Sequence, residues 1–187
     1  MNTSKTKNKK MNTYNMVVTA LFAALMCILG PNSIPIGAVP ISFTNLVIYL
    51  AVMLIGTKYG TISYGIYFLL GLVGLPVFSG YTGGLQKIAG PTGGYLVGFF
   101  LLAIVSGLFI KKFPNNIPLI FIGMVLGTVL AYILGTIWFT KMMECTFYYA
   151  LTVCVFPFII GDVIKMIIAI IAGLAIRKRL IKGGFIE

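Results

Sequence analysis

The chain has 187 residues; 59% are hydrophobic, 9% are charged and the mean hydropathy is +1.05. Globular domains carry about 25% charged residues, so this chain suits the bilayer rather than water as its solvent. It has no histidine, only three acids (Glu144, Asp162 and Glu187) and no GxxxxGK[ST] motif, which leaves no basis for His-dependent catalysis, a zincin site, a paired-carboxylate hydrolase, a dicarboxylate metal site or a P-loop.

The expectation is therefore a single all-α transmembrane domain over residues 1–187, with no enzyme activity, no metal and no cofactor of its own. The net charge of +11 sits in clusters beside apolar runs. That pattern belongs to membrane topology and lipid contact, not to a nucleic-acid groove.

In chain order, Lys5, Lys7, Lys9 and Lys10 form a basic tail over about 1–13, ahead of an apolar run at 14–30. No small-x-small cleavage site leads into a soluble domain, and further apolar runs follow, so the run reads as a retained first helix. The connection from Asn32 to Thr44 holds Pro35, Pro40, Ile34 and Ile36 and no charge, and it ends in Ser42-Phe43-Thr44-Asn45. Spans two and three are expected at 38–56 and 60–76.

The next connection, Gly74 to Tyr95, carries six glycines between Gly80 and Gly94. Such a segment brings bare backbone near a ligand and tolerates the dihedral changes of a lid. Its Leu75, Val77, Phe78, Leu85 and Ile88 predict that it packs back onto the helices. Spans four, five and six are expected at 94–110, 117–140 and 147–176. The sixth is longer than a bilayer needs and is expected to tilt or break near Pro157. A basic tail follows over about 177–187. Cys27, Cys145 and Cys154 have no CxxC spacing and read as small apolar residues.

With six spans, eleven of the fourteen Lys and Arg residues fall on one side; Lys87 and Lys141 fall on the other and Lys165 lies within a span. That asymmetry predicts a multi-pass protein of the cell membrane with both termini in the cytoplasm.

Asp162 and Lys165 stand inside the last apolar run. Each costs on the order of 2.5–3.5 kcal/mol to place at a helix centre. Their i, i+3 spacing puts them on one face, within reach of each other. A pair with no task is replaceable by apolar residues, often without loss of stability, so the pair predicts a polar pocket in the bundle. Asp162 stands fifteen residues before Arg177, or about 22 Å along a helix. This places the pocket in the outer half of the bilayer.

The run Gly-Leu-Pro-Val-Phe-Ser-Gly at 74–80 is followed by Gly90-Pro91-Thr92-Gly93-Gly94-Tyr95-Leu96-Val97-Gly98-Phe99. Together they resemble the signature of the BioY family, the biotin-specific substrate-binding (S) components of energy-coupling factor (ECF) transporters. Gly161 to Lys165 resembles that family's last-helix motif, and Val39 to Phe43 resembles the start of its second helix. The resemblance implies an S-component-like bundle of six transmembrane helices that captures biotin from the outer face. It also implies a transmembrane coupling protein and two ATPase subunits as partners, with ATP bound only by those subunits.

Ala20 and Ala24 are similar to the family's Ala-x-x-x-Ala surface for the coupling protein, and small residues four apart allow close helix approach. For biotin, the candidate binding residues are Asp162, Lys165, Ser79, Gly80, Phe78, Gln86, Thr92, Tyr95 and Asn45, with Tyr81 a further candidate to pack on the ring. The chain departs from the family pattern at Thr44-Asn45, where Gln is frequent, and at Lys87. The alternative reading is a proton-coupled secondary transporter or facilitator for a carboxylate-bearing vitamin, with Asp162 as the protonated group.

Overall fold

Hydrocarbon offers no partner to a backbone N–H or C=O, so apolar runs close their hydrogen bonds internally as helices. A computed structural model describes residues 13–34 and 39–182. Lys5, Lys7, Lys9 and Lys10, together with Pro35, Ile36 and residues 183–187, lie outside the described residues.

The elements are α1 (Thr13–Leu29), β1 (Ser33–Ile34), β2 (Ile41–Ser42), α2 (Thr44–Leu72), α3 (Leu85–Ala89), α4 (Gly93–Lys112), α5 (Ile117–Met143), α6 (Phe147–Cys154) and α7 (Phe156–Lys182). By length and apolarity, α2, α4, α5 and α7 are able to cross a membrane, and α1 is a shorter apolar helix.

Spans two and three form one element that breaks at Gly56, where φ is 80° and ψ is 170°. This is a conformation that a residue with a Cβ rarely adopts. Beyond the break the chain folds back on itself. Gly60 lies so close to Val52 that a Cβ on Gly60 would fall 2.8 Å from the Val52 side chain, whereas residues eight apart in a straight helix are about 12 Å apart. The six expected rods are thus present, with corrected ends. The second begins at Thr44 rather than 38, because Ile41–Ser42 pairs antiparallel with Ser33–Ile34 as a small hairpin. The third ends at Leu72 rather than 76, where the chain turns through Gly74 at φ 111°.

The sixth run breaks at Val155, and Pro157 sits in the first turn of α7, where its missing N–H costs nothing. Pro118 opens α5 in the same way, behind Asn116, whose side chain accepts from the Leu119 N–H at 3.2 Å. α7 continues through Arg177, Lys178 and Arg179, so this part of the basic carboxy-terminal segment is helical.

Small residues draw α4 and α5 together: Gly98 lies against Ala131, and Gly127 against Leu102 and Ser106. Buried polar side chains tie helix to helix. The Tyr64 hydroxyl donates to the Leu96 carbonyl at 2.6 Å, and the Ser63 hydroxyl donates to the Thr19 carbonyl at 3.0 Å. Outward-facing Val129, Ile133 and Ile137 on α5, and Ile160, Ile164, Ile168 and Ile171 on α7, are exposed. In water such a surface would be an association liability; in hydrocarbon it is the expected exterior. Gly56, Lys111 and Arg177 line one recess, so the α2 break, the end of α4 and the end of α7 share one end of the bundle. The cysteines are free; Cys154 is buried, and Cys27 and Cys145 are half-buried.

Candidate functional site

Asp162 and Lys165 are 6% and 7% exposed. They form the expected pair, with Lys165 Nζ 3.1 Å from Asp162 Oδ1, and neither depends on the other alone. Asn45, in the first turn of α2, donates from Nδ2 to Asp162 Oδ1 at 2.8 Å and accepts from Lys165 Nζ at 3.1 Å. Lys165 also donates to the Ser42 carbonyl of β2 at 2.7 Å. The second carboxylate oxygen of Asp162 accepts from the Tyr132 hydroxyl of α5 at 2.5 Å. Groups from α2, α5 and α7 therefore converge on one carboxylate, and β2 holds the lysine that pairs with it. Among the described residues, three donors fill three of its roughly four acceptor positions.

This cluster forms part of the lining of a recess of about 620 Å³, mouth included. The remaining wall is largely apolar, with Val39, Pro40, Leu96, Phe99 and Phe158, and Ser79, Lys87 and Thr92 reach it from the connection between α2 and α4. A mostly apolar recess with a few placed polar groups is the usual form of a small-molecule site.

Of the candidate binding residues, Asp162, Lys165, Asn45, Ser79, Thr92 and Tyr95 line the recess. Tyr95 is held by hydrogen bonds of its hydroxyl with Thr136 at 3.3 Å and with the Cys154 carbonyl at 3.4 Å. Phe78, Gly80 and Gln86 stand outside the lining. Phe78 is fully buried in the core, edge-on to Tyr67 at 5.5 Å and over Gly71. Gly80 is spent on the loop itself: its φ is 77° and its N–H donates to the Pro31 carbonyl at 3.0 Å. Gln86 is exposed on α3. Tyr81 is also exposed, and its hydroxyl donates to Asn32 at 3.0 Å.

The glycine-rich connection packs back only in part. Val77 and Phe78 are buried, but Leu75 and Leu85 remain exposed. Backbone bonds anchor it, with the Gly84 N–H on the Gly71 carbonyl at 2.7 Å and the Trp138 indole N–H on the Gly90 carbonyl at 2.9 Å.

Sequence reasoning missed Tyr132. A signal was present: Thr128, Tyr132 and Thr136 recur every four residues in the apolar middle of α5, and so share one face. Each meets a different partner: Tyr49, Asp162 and Tyr95 respectively. The candidate coupling residues Ala20 and Ala24 are exposed on α1, on the side away from buried Thr19, Phe22, Ala23 and Met26.

The BioY family profile matches residues 3–182. The biotin transporter BioY of Thermotoga maritima is 36% identical over 168 residues, covering 87% of this chain and 95% of that protein. Biotin transporter BioY2 of Lactococcus lactis subsp. cremoris is 34% identical over 169 residues, covering 89% and 92%. The crystal structure of an S-component for biotin from an ECF-type ABC transporter superposes with a TM-score of 0.83 at 33% identity, over 90% of this chain and 95% of that one. The chain belongs to the BioY family.

Proposed function

From this membership we propose that the chain is the membrane S component of an ATP-driven ECF transporter and captures biotin from outside the cell for uptake. The observation that carries the chemistry is the Asp162 cluster. It is a buried carboxylate held by Asn45, Lys165 and Tyr132, and it stands in the lining of a largely apolar recess. Biotin offers the complement: ureido N–H donors on a compact apolar bicycle, and a valerate tail that ends in a carboxylate. The ureido group meets Asp162, and the bicycle lies among Tyr95, Phe99 and Phe158. Asn45 has a second Nδ2 hydrogen for the ureido oxygen, and the Ser79 and Thr92 hydroxyls hydrogen-bond the ligand from the connection.

The partners are a transmembrane coupling protein and two ATPase subunits, which supply the ATP site. Ala20 and Ala24 form the surface for the coupling protein, where small side chains let its helices approach. Both termini lie in the cytoplasm. The positive-inside asymmetry supports this orientation, as does the shared placement of Lys111 and Arg177 at the end where α2 reverses.

The test is biotin uptake by cells expressing the chain with and without the coupling protein and ATPases, with the proton gradient intact or collapsed. Uptake that needs the partners and survives the collapse supports the reading. Uptake by the chain alone that is lost with the gradient would favour a proton-coupled carrier.

A further inference from the structure

Two lysines face the recess, and they differ in what they hold. An ammonium has three N–H donors and no acceptor. Lys165 spends three on the protein: the Ser42 carbonyl, Asn45 Oδ1 and Asp162 Oδ1, at 2.7, 3.1 and 3.1 Å. For Lys165 to bind a ligand anion, one of these would have to break. Lys87 lines the same recess from α3 and is half-buried. Among the described residues the Asp162–Lys165 contact is the one ion pair, and Lys87 has no protein anion beside it.

We propose that Lys87 is the specificity-determining residue for the tail of the ligand and pairs with its carboxylate, while Lys165 is a positioning residue that holds Asp162 and Asn45. This rests on the biotin reading above. The charge arithmetic of the recess supports it: Asp162 balances Lys165, and the charge on Lys87 remains for the ligand to neutralise. The polar groups also divide by origin. Those suited to the ureido group come from α2, α5 and α7. Lys87, Ser79 and Thr92 come from the outer connection, and apolar Val39, Pro40, Leu96 and Phe99 share the lining with both sets. An elongated ligand with a polar head, an apolar middle and an anionic tail matches that division. Burial also lowers the pKa of Lys87 below the ordinary lysine value, so an anion beside it would relieve the desolvation of its charge.

Calorimetry on the purified full-length protein with biotin and with biotin methyl ester tests this. The wild type is expected to bind biotin about tenfold to a hundredfold tighter than the ester, the range of a charge-assisted hydrogen bond. Lys87→Met should abolish that preference by losing affinity for biotin alone, and Lys87→Arg should keep it. Lys165→Met should weaken both ligands in parallel and leave the preference intact. If Lys87→Met binds biotin and discriminates against the ester as the wild type does, Lys87 is not the anchor, and the biotin reading stands. If Lys165→Met alone abolishes the preference, the anchor is Lys165. If the wild type binds neither compound, the biotin reading fails and takes this proposal with it.

Discussion

The Tyr132 hydroxyl on α5 donates to Asp162 Oδ2 on α7 at 2.5 Å, while Asn45 and Lys165 both occupy Oδ1. The carboxylate is thus clamped from two sides. Its direction in the recess depends on a helix that has sparse contact with α7 elsewhere. Clamping a buried charge in this way avoids an uncompensated group and fixes the carboxylate's direction in advance, which lowers the ordering cost when a ligand arrives.

Tyr132→Phe should therefore keep the fold and loosen the site. Hydrogen bonds to charged groups contribute about 1.5–3 kcal/mol, so biotin affinity should fall by about tenfold or more. Titration calorimetry of the variant reads this. Wild-type affinity would mean that Asn45 and Lys165 hold Asp162 unaided.

Asp162→Asn and Lys165→Met should each weaken biotin binding and also destabilise the protein. Removing one member of a buried pair leaves the other uncompensated, at a cost of about 3–5 kcal/mol. Thermal unfolding in detergent measured beside ligand affinity separates the two effects. The expected outcome is a lowered unfolding temperature in both variants, with protein still inserted in the membrane. If both unfold and bind like the wild type, the pair has no part in either.

Leu at both positions 20 and 24 should leave biotin binding unchanged and reduce uptake by the assembled transporter. Both alanines lie on the exposed face of α1, so the larger side chains point away from the core of the described residues. They would hold a partner helix away. Normal uptake by the double variant would move the coupling surface elsewhere.

Affinity for biotin should depend on pH through Lys87, which burial holds below the ordinary value of 10.5. In the proposed pairing it is the charged form that meets the ligand carboxylate. Binding is therefore full below this lowered pKa and declines as pH rises through it. Asp162, Lys165, Tyr95 and Tyr132 line the same recess and are unchanged in Lys87→Met, so comparing the two proteins isolates the Lys87 contribution. The alkaline decline should flatten in the variant. Equal declines would assign the dependence to another group.

The long rods were legible in the sequence because hydrocarbon admits few alternatives. The Asp162–Lys165 pair was legible because i, i+3 spacing fixes a shared face. Asn45 was legible as the polar end of an uncharged connection. Tyr132 and the Ser42 carbonyl were not. They reach the pair from 30 and 123 residues away in the chain; the polar stripe of Thr128, Tyr132 and Thr136 marks an inward face of α5, but spacing does not say which of its residues meets α7. Phe78 illustrates the converse. Its aromatic ring suggested packing against the ligand, but the turn at Ser79-Gly80-Tyr81, closed by mutual backbone bonds between Phe78 and Thr82, points neighbouring side chains in opposite directions. One enters the core and the other lines the recess. Likewise the hairpin of β1 and β2 was hidden, since two-residue strands carry no period.

The recess over Asp162 is proposed to take biotin. Titration calorimetry of the purified, detergent-solubilised chain with biotin, thiamin and riboflavin tests it most directly. Tight, saturable binding of biotin with little heat from the other two is the predicted result. No heat with biotin, and a clear signal with either of the others, would contradict the account.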